Sequence, residues 1–285
     1  MISLAESFLV DFHDRMPGGS SSAFGSSPVT DPDGRRFASS YHALSERLAA
    51  ITGMLPDGPL LDLACGDGHL LALLAPSSGR GRPRQGVDLS AGELAVARAR
   101  LGNSVTLHQA RAQALPLADA SVAVISCHMA LMLMAEPEAV MAEMRRVLMP
   151  GGRLLAVVPA APSRGSAHAP LIAAWLAALD GITRQPAWQA VQFEGRRWRD
   201  PETIAALLQP AFADVRHAAL LSVQRLGPDA AWAWFSAMYD LHLLPSAAWP
   251  AIEGNFRRQL PPLLDVDGLV ALPQTYFLID ATVAS

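Results

Sequence analysis

The sequence predicts an α/β fold, a seven-stranded, mostly parallel Rossmann-like sheet with helices on both faces. Residues 60–70 read L-L-D-L-A-C-G-D-G-H-L, a short apolar strand that turns through glycines into a helix. This is the first unit of a nucleotide-binding βαβ fold. Residues 84–89 follow as a second strand that ends in Asp88. Residues 122–126 are an almost continuous apolar run, as a parallel strand covered on both faces requires.

Composition narrows the class of protein. At 285 residues, with 51% hydrophobic and 17% charged residues, the chain can bury one large α/β core plus an appended cap. A net charge of −4 gives no basic face, so we expect no nucleic-acid partner. No window has the length of a membrane span and no signal peptide is recognised, so we expect no membrane association and a cytoplasmic location. Cys65 and Cys127 form neither a disulfide framework nor a metal-ligand cluster, so no metal is expected.

Residues 1–56 are predicted to form a helical cap or lid. Residues 1–16 place apolar side chains at helical spacing, and Ser39 precedes a second helix that carries Tyr41 in its first turn. Residues 17–34, rich in Gly, Ser, Pro and Asp, are predicted to be a loop. Because this segment comes before the first core strand, we expect it to pack over the sheet.

The glycine turn indicates which ligand the fold takes. A dinucleotide-binding turn has a third glycine, where this chain has Leu71. The pattern D-x-A-C-G-x-G, which begins at Asp62 and ends in Gly66 and Gly68, instead resembles motif I of the class I S-adenosylmethionine (SAM) dependent methyltransferases. Ala64 stands where that family often has glycine. The resemblance is strong over about residues 60–160 and weak over residues 200–224, and residues 57–160 are the predicted SAM-binding core.

The resemblance implies a set of residues that bind SAM. Asp88 has the spacing of a carboxylate that binds the ribose hydroxyls, although a strand-end acid can also cap the next helix. Family members often hold the adenine amino group with an acid where this chain has Arg111, which can only donate. Adenine is then held by groups of Ala112 and Gln113, or by stacking on Arg111. The residues expected to bind SAM are Asp62, Ala64, Gly66, Gly68, Asp88, Leu89, Ala112, Gln113 and Ser126.

Two residues are catalytic candidates. Ligands bind at the carboxyl ends of parallel strands, which places His128 beside the reactive end of SAM. It is expected to act as a base or to contact the substrate, unless it is a hydrogen-bonded wall residue. Tyr41 is expected to bond SAM or the substrate, unless it packs within its helix. Other side chains that can line the site are His13, His42, His168, Trp175, Trp188 and Trp198.

Residues 161–285 are predicted to complete the sheet, with a substrate-side loop and a helical insertion before the last strand. In the family that this chain resembles, the last strand runs antiparallel beside the sixth. The insertion, residues 228–260, is rich in aromatic residues at helical spacing. This spacing favours a core or a dimer surface over a ligand site, so a homodimer is an open expectation.

The resemblance implies a SAM-dependent methyltransferase. The methionine-rich exit of the fourth strand and the aromatic late loop favour a small, partly apolar acceptor, as in secondary metabolism. Two alternatives stay open. One is an enzyme of the same fold that uses SAM itself as substrate, by intramolecular cyclisation or cleavage, and releases methylthioadenosine. The other is a non-catalytic SAM-binding protein.

Overall fold

The structure, a computed structural model, describes residues 2–77, 81–160, 169–179, 189–191, 193 and 195–283. The chain divides into two compact units, and the division falls within its last two strands. The first unit contains Met1–Ala160, Phe193–Leu220 and Tyr276–Ser285, and the second contains Ala161–Gln192 and Leu221–Thr275. The finer division into residues 1–56, 57–160 and 161–285 stays a prediction. Within the described ranges, no helix is both long and apolar enough to cross a bilayer.

Nine strands of the described chain form one mixed sheet. They are β1 Val29–Thr30, β2 Arg36–Phe37, β3 Leu60–Leu63, β4 Arg84–Asp88, β5 Thr106–Gln109, β6 Val122–His128, β7 Leu148–Pro159, β8 Asp214–Leu226 and β9 Val270–Thr282. Their order across the sheet is β2-β1-β8-β9-β7-β6-β3-β4-β5. The pairs β3–β4, β3–β6, β4–β5 and β6–β7 are parallel. The pairs β1–β2 and β7–β9 are antiparallel.

The α/β fold is confirmed, but the prediction of seven mostly parallel strands is wrong. The two extra strands come from the N-terminal segment, and β1 belongs to residues predicted to be loop. Asp31 starts the hairpin, because its Oδ1 accepts bonds from the backbone of Asp33 and Arg35 at 3.0 and 2.8 Å. Val29 and Phe37 then pair and are buried. Strands of two residues are too short to leave a periodic pattern in the sequence.

The helices of the described chain are α1 Leu4–Arg15, α2 Gly19–Phe24, α3 Ser40–Ile51, α4 His69–Ser77, α5 Ala91–Leu101, α6 Pro137–Val147, α7 Ala169–Ala178, α8 Pro201–Leu208, α9 Pro228–Ser236, α10 Tyr239–His242 and α11 Trp249–Gln259. Helices of the first unit cover both faces of its part of the sheet. One face buries apolar residues of α3, α4 and α5, and the other buries those of α6 and α8. Neighbouring strand residues alternate between these faces, which is why β6 is buried along its whole length.

The predicted helical insertion is present, since α9, α10 and α11 lie between β8 and β9. In the second unit these helices and α7 share an aromatic core. The Trp175 ring stacks on Phe235 with centroids 5.1 Å apart and meets Phe256 edge-on at 5.6 Å. Trp175 is therefore a core residue of the second unit. Trp198 is fully buried in the core of the first unit, and Trp188 lies outside the described residues.

Candidate functional site

Asp62 lies in the strand that leads into the glycine turn. Its side chain is buried, and its Oδ1 accepts a hydrogen bond from Ser126 Oγ on the neighbouring strand at 2.8 Å. Burial raises the pKa of Asp62 to about 7, although the bond from Ser126 opposes the shift. The two predicted residues thus form one buried pair beneath the turn.

The turn has a backbone that few side chains tolerate. Gly66 and Gly68 have φ values of +51° and +76°, in the left-handed region that glycine adopts without strain. Ala64 has φ +58°, a conformation that costs a non-glycine residue about 1–2 kcal/mol. A Cβ on Gly68 would lie 2.7 Å from Leu101 Cδ1, so this glycine also allows α4 and α5 to pack. Strained backbone of this kind is concentrated at functional sites.

Asp88 connects the second strand to this turn. Its Oδ2 accepts a hydrogen bond from Gly66 N at 2.8 Å, and its Oδ1 accepts one from Ser90 N at 2.9 Å. Burial raises the pKa of Asp88, while these two bonds favour the charged form. Each carboxylate oxygen has two acceptor sites, so the geometry leaves acceptor capacity for a ligand hydroxyl. Leu89 follows the strand and is half-buried.

Arg111 forms ion pairs with two acidic residues. Its Nε and Nη2 donate to Glu6 Oε1 at 3.0 and 2.9 Å, and its Nη2 also donates to Glu136 Oε1 at 3.1 Å. Glu6 belongs to α1 and is buried. Burial raises the pKa of Glu6, but hydrogen bonds from the Ser3 backbone and from Arg111 outweigh it, so the pKa is lowered overall.

Gln113 lies beside this pair and is fixed by it. Its Nε2 donates to Glu6 Oε1 at 3.2 Å and to the backbone oxygen of Ala135 at 2.6 Å. Both partners are acceptors, so the amide atom that faces them must be the donating nitrogen, Nε2. The amide oxygen is therefore the group that remains to accept a bond from a ligand. Ala112 precedes it and is half-buried.

The sequence reasoning missed the part that α1 plays here. One signal was available, because Ser3 and Glu6 have the spacing of a capping box. Ser3 N donates to Glu6 Oε2 at 2.8 Å, and Glu6 N donates to Ser3 Oγ at 3.1 Å. The capping box explains why Glu6 lies at the start of α1. It could not indicate the contact with Arg111, 105 residues away.

The N-terminal segment contacts the same edge of the sheet at other points. His13 Nδ1 and Gly18 N each lie 2.9 Å from a carboxylate oxygen of Glu93. Asp14 Oδ1 accepts a bond from Gly92 N at 2.9 Å. Ser21 Oγ donates to Asp67 Oδ2, within the glycine turn, at 2.7 Å. These contacts join α1 and α2 to the turn and to the start of α5.

His128 and Tyr41, the two catalytic candidates, are in contact. Their rings stack with centroids 3.5 Å apart. His128 Nε2 lies 2.9 Å from Ser40 Oγ, and the sequence reasoning missed Ser40. Burial lowers the pKa of His128 to about 3, so the imidazole is neutral at physiological pH. Because a general base works best with a pKa near the working pH, this environment suits a hydrogen-bonding role.

The other predicted histidines have separate positions. His13 pairs with Glu93, as above, and His42 Nδ1 lies 2.9 Å from Ser39 Oγ. His168 lies outside the described residues. His69, which the sequence reasoning did not single out, begins α4 and meets the Tyr41 ring edge-on at 4.7 Å. It follows the glycine turn directly, which is the signal that could have identified it.

The two cysteines are buried free thiols. Burial raises the pKa of both thiols, so they are neutral packing groups. Among the residues that the structure describes, no three His, Cys, Asp or Glu side chains are grouped so that they could hold a metal ion.

Known proteins resemble this chain in sequence. A family model described as a methyltransferase domain matches residues 61–156. The demethylmenaquinone methyltransferase of Symbiobacterium thermophilum is 31% identical over 130 residues, which make up 44% of this chain and 52% of that protein. The match thus spans about half the length of this curated relative.

Solved structures share the fold. The YcgJ protein of Bacillus subtilis has a TM-score of 0.57 at 17% identity, covering 86% of this chain and 99% of that one. The [4+2]-cyclase SpnF has a TM-score of 0.59 at 16% identity, covering 99% of this chain and 97% of that one. Residues 61–156 thus match a methyltransferase domain in sequence, and the solved structures share the fold of the chain.

Proposed function

We propose that this protein transfers the methyl group of SAM to a small, partly apolar molecule. The observation that carries the proposal is the bond between Asp88 Oδ2 and Gly66 N, 2.8 Å long. This bond connects two predicted parts of the cofactor site. One is Asp88, the acid predicted to bind ribose, and the other is the glycine turn, which is predicted to approach the cofactor closely. One carboxylate thus sets the shape of the turn and keeps acceptor sites for hydroxyl groups.

The residues present fit SAM. The positive φ values of Gly66 and Gly68 turn the backbone at the end of β3, where an anionic or polar ligand can meet the start of α4. Asp88 supplies acceptors for ribose hydroxyls. Gln113 supplies an amide oxygen for the adenine amino group, in place of the acid that family members often have where this chain has Arg111.

When bound, SAM supplies a methyl group that its sulfonium has already activated, so the protein has mainly to align the acceptor for in-line attack. Alignment alone can contribute roughly 7–11 kcal/mol. His128 and Tyr41 form a neutral, stacked wall where β6 ends. Met129 and Leu131 follow and belong to the two cores that flank the sheet. A wall of this composition supports a partly apolar acceptor.

The proposal also covers the size of the acceptor and the setting in which the protein acts. The curated relative is named for a small-molecule acceptor, which favours an acceptor of that size. We also propose a role in secondary metabolism, a cytoplasmic location, no nucleic-acid partner and a possible homodimer. The net charge of −4 argues against a nucleic-acid partner, and the methionine-rich exit of the fourth strand favours an acceptor of secondary metabolism. The aromatic residues of the insertion, at helical spacing, fit a core or a dimer surface.

The test is mass spectrometry of the purified protein incubated with SAM alone and then with pooled small-molecule extracts. We expect S-adenosylhomocysteine only when extract is added, together with a product that has gained the mass of a methyl group. The control is Asp88→Ala protein in the same extract, which should form much less of both products because it binds SAM poorly.

Two other outcomes would contradict methyl transfer. Methylthioadenosine from SAM alone would indicate that SAM itself is the substrate. Tight SAM binding with neither product, across extracts of several sources, would indicate a binding protein. A titration calorimetry experiment with SAM, run first, separates this last outcome from a protein that does not bind SAM.

A further inference from the structure

Buried polar atoms without partners lie around the proposed acceptor site. Among the described residues, these include His128 Nδ1, His69 Nε2 and the Tyr276 hydroxyl. His128 and Tyr276 are 8% and 2% exposed. Nearly all buried polar groups in proteins have a hydrogen-bond partner, so each exception needs an explanation.

The strand register places two of these side chains on one face of the sheet. His128 pairs with Val157 of β7, and Val157 pairs with Leu278 of β9. Tyr276 lies two residues from Leu278 and pairs with Pro159, where β7 ends. Paired residues share a face, and so do residues two apart on a strand. His128 and Tyr276 therefore face the same side, separated by two strand spacings of about 4.8 Å and a rise of about 6.6 Å.

Tyr41 connects His128 to His69. Its ring stacks on His128 at 3.5 Å and meets His69 edge-on at 4.7 Å. Both imidazoles thus contact the Tyr41 ring. His69 does so from the residue after the glycine turn, and His128 does so from the end of β6.

The end of α2 connects His69 to Tyr276. A Cβ on Gly25 would lie 3.4 Å from His69 Nε2, so the Gly25 backbone borders this nitrogen. Phe24 meets the Tyr276 ring edge-on at 6.3 Å. Phe24, Tyr41 and Tyr276 also belong to a single apolar cluster. The side chains of His69, His128 and Tyr276 are therefore connected to one another through Tyr41 and through the end of α2.

The Tyr276 hydroxyl has no role in packing that the structure shows. A phenylalanine would fill the same space in the cluster and would not bury an unpaired hydroxyl. The same argument applies to the free nitrogens of His69 and His128, where an apolar side chain would serve a core equally well. These atoms are explained if they bind a polar group that enters the site.

We propose that His69, His128 and Tyr276 bind the methyl acceptor, and that this acceptor is an uncharged, partly aromatic molecule with hydroxyl or carbonyl oxygens. The inference rests on the proposed function, since it deepens the description of the same site. All three side chains are neutral at physiological pH, because burial lowers the pKa of His69 and His128 and raises the pKa of Tyr276. Arg100, a cation near His69, is paired with Asp67 at 2.8 Å, and none of the three proposed contacts carries a positive charge to neutralise an anionic acceptor.

The test uses phenol as a neutral probe and benzoate as a charged probe of the same ring size, with the full-length protein saturated with S-adenosylhomocysteine. Binding is followed by NMR of the imidazole C–H signals, assigned with His69→Gln and His128→Gln. We expect phenol to shift both signals and benzoate to bind more weakly. Tyr276→Phe should raise the phenol Kd by about fivefold, the loss of one neutral hydrogen bond, and leave the S-adenosylhomocysteine Kd unchanged.

Tyr239→Phe, in the second unit, is the matched control and should leave phenol binding unchanged. The proposal is overturned if phenol shifts neither imidazole, if benzoate binds as tightly as phenol, or if Tyr276→Phe behaves like Tyr239→Phe. Failure of the proposed function would be seen separately. In that case the extract experiment yields no methylated product, while the phenol titration still reports on the three side chains.

Discussion

Arg111 donates to Glu6 Oε1 from both Nε and Nη2, at 3.0 and 2.9 Å. The chain thus has a basic residue at a position where the family that it resembles often has an acidic one. The acidic residue that pairs with it, Glu6, comes from the N-terminal helix. The pair also holds Gln113 in position. The N-terminal helix is therefore tied to the end of the third parallel strand, where adenine is expected to bind.

Arg111→Gln should destabilise the protein by about 2–3 kcal/mol, because it leaves the buried Glu6 carboxylate without the guanidinium that pairs with it. The double variant Glu6→Gln/Arg111→Gln should recover more than half of the loss, since no unpaired charge remains. Urea denaturation of the three proteins measures this. Arg145→Gln, a change at an exposed arginine, is the control. A double variant less stable than Arg111→Gln would contradict the ion-pair explanation.

Gln113→Met should weaken the binding of S-adenosylhomocysteine by about tenfold, as expected when a ligand donor loses its acceptor. The sharper readout compares S-adenosylhomocysteine with S-inosylhomocysteine, which has an oxygen in place of the adenine amino group. The wild type should prefer the adenosyl compound, and Gln113→Met should lose much of this preference. Calorimetric titrations with both ligands measure it. An unchanged preference would show that a group other than Gln113 recognises the amino group of adenine.

Asp88→Asn should raise the Kd for SAM by about 10- to 100-fold, because hydrogen bonds to a charged acceptor contribute roughly 1.5–3 kcal/mol. The amide would also place its NH₂ group opposite the backbone N–H of Gly66 or Ser90. Calorimetry measures the affinity, and a thermal melt shows whether the fold is retained. Asp57→Asn, at an exposed position, should bind SAM as the wild type does. Equal affinity in the two variants would remove Asp88 from the cofactor site.

Asp62 should make stability fall as the pH rises. Its pKa of about 7 in the folded protein lies above the 3.8 of an ordinary aspartate, so the folded state holds this proton more tightly than the unfolded state does. The stability that this adds is fully present below about pH 4 and is lost as the pH approaches 7.

Asp62→Asn keeps the acceptor for Ser126 and removes the charge. At pH 8 it should be more stable than the wild type by up to roughly 4 kcal/mol, at about 1.4 kcal/mol per pKa unit. The difference should shrink towards pH 4. Urea denaturation across this range measures it, with Asp57→Asn as the control. A constant difference between wild type and Asp62→Asn at every pH would show that Asp62 does not titrate as described.

The sequence was most informative where function depends on neighbouring residues. The turn at Gly66 and Gly68 and the strand that ends in Asp88 are local patterns, because strand, turn and helix succeed one another within a few residues. Ser39 was recognised as a helix cap for the same reason, and its Oγ accepts a bond from His42 N. The strands β1 and β2 were missed, because each gains its stability from pairing and burial and has too few residues to form a pattern.

The sequence by itself determined the α/β class, the glycine turn and its resemblance to SAM-binding proteins, since these follow from periodicity and from backbone conformations that only certain residues adopt. Only the tertiary structure decided that Glu6 pairs with Arg111, that Ser40 and Tyr41 meet His128, and that Tyr276 faces the same side of the sheet as His128. The physical reason is that hydrogen bonds, ion pairs and burial depend on distance in space. The sequence gives separation along the chain, and for Glu6 and Arg111 that separation is 105 residues.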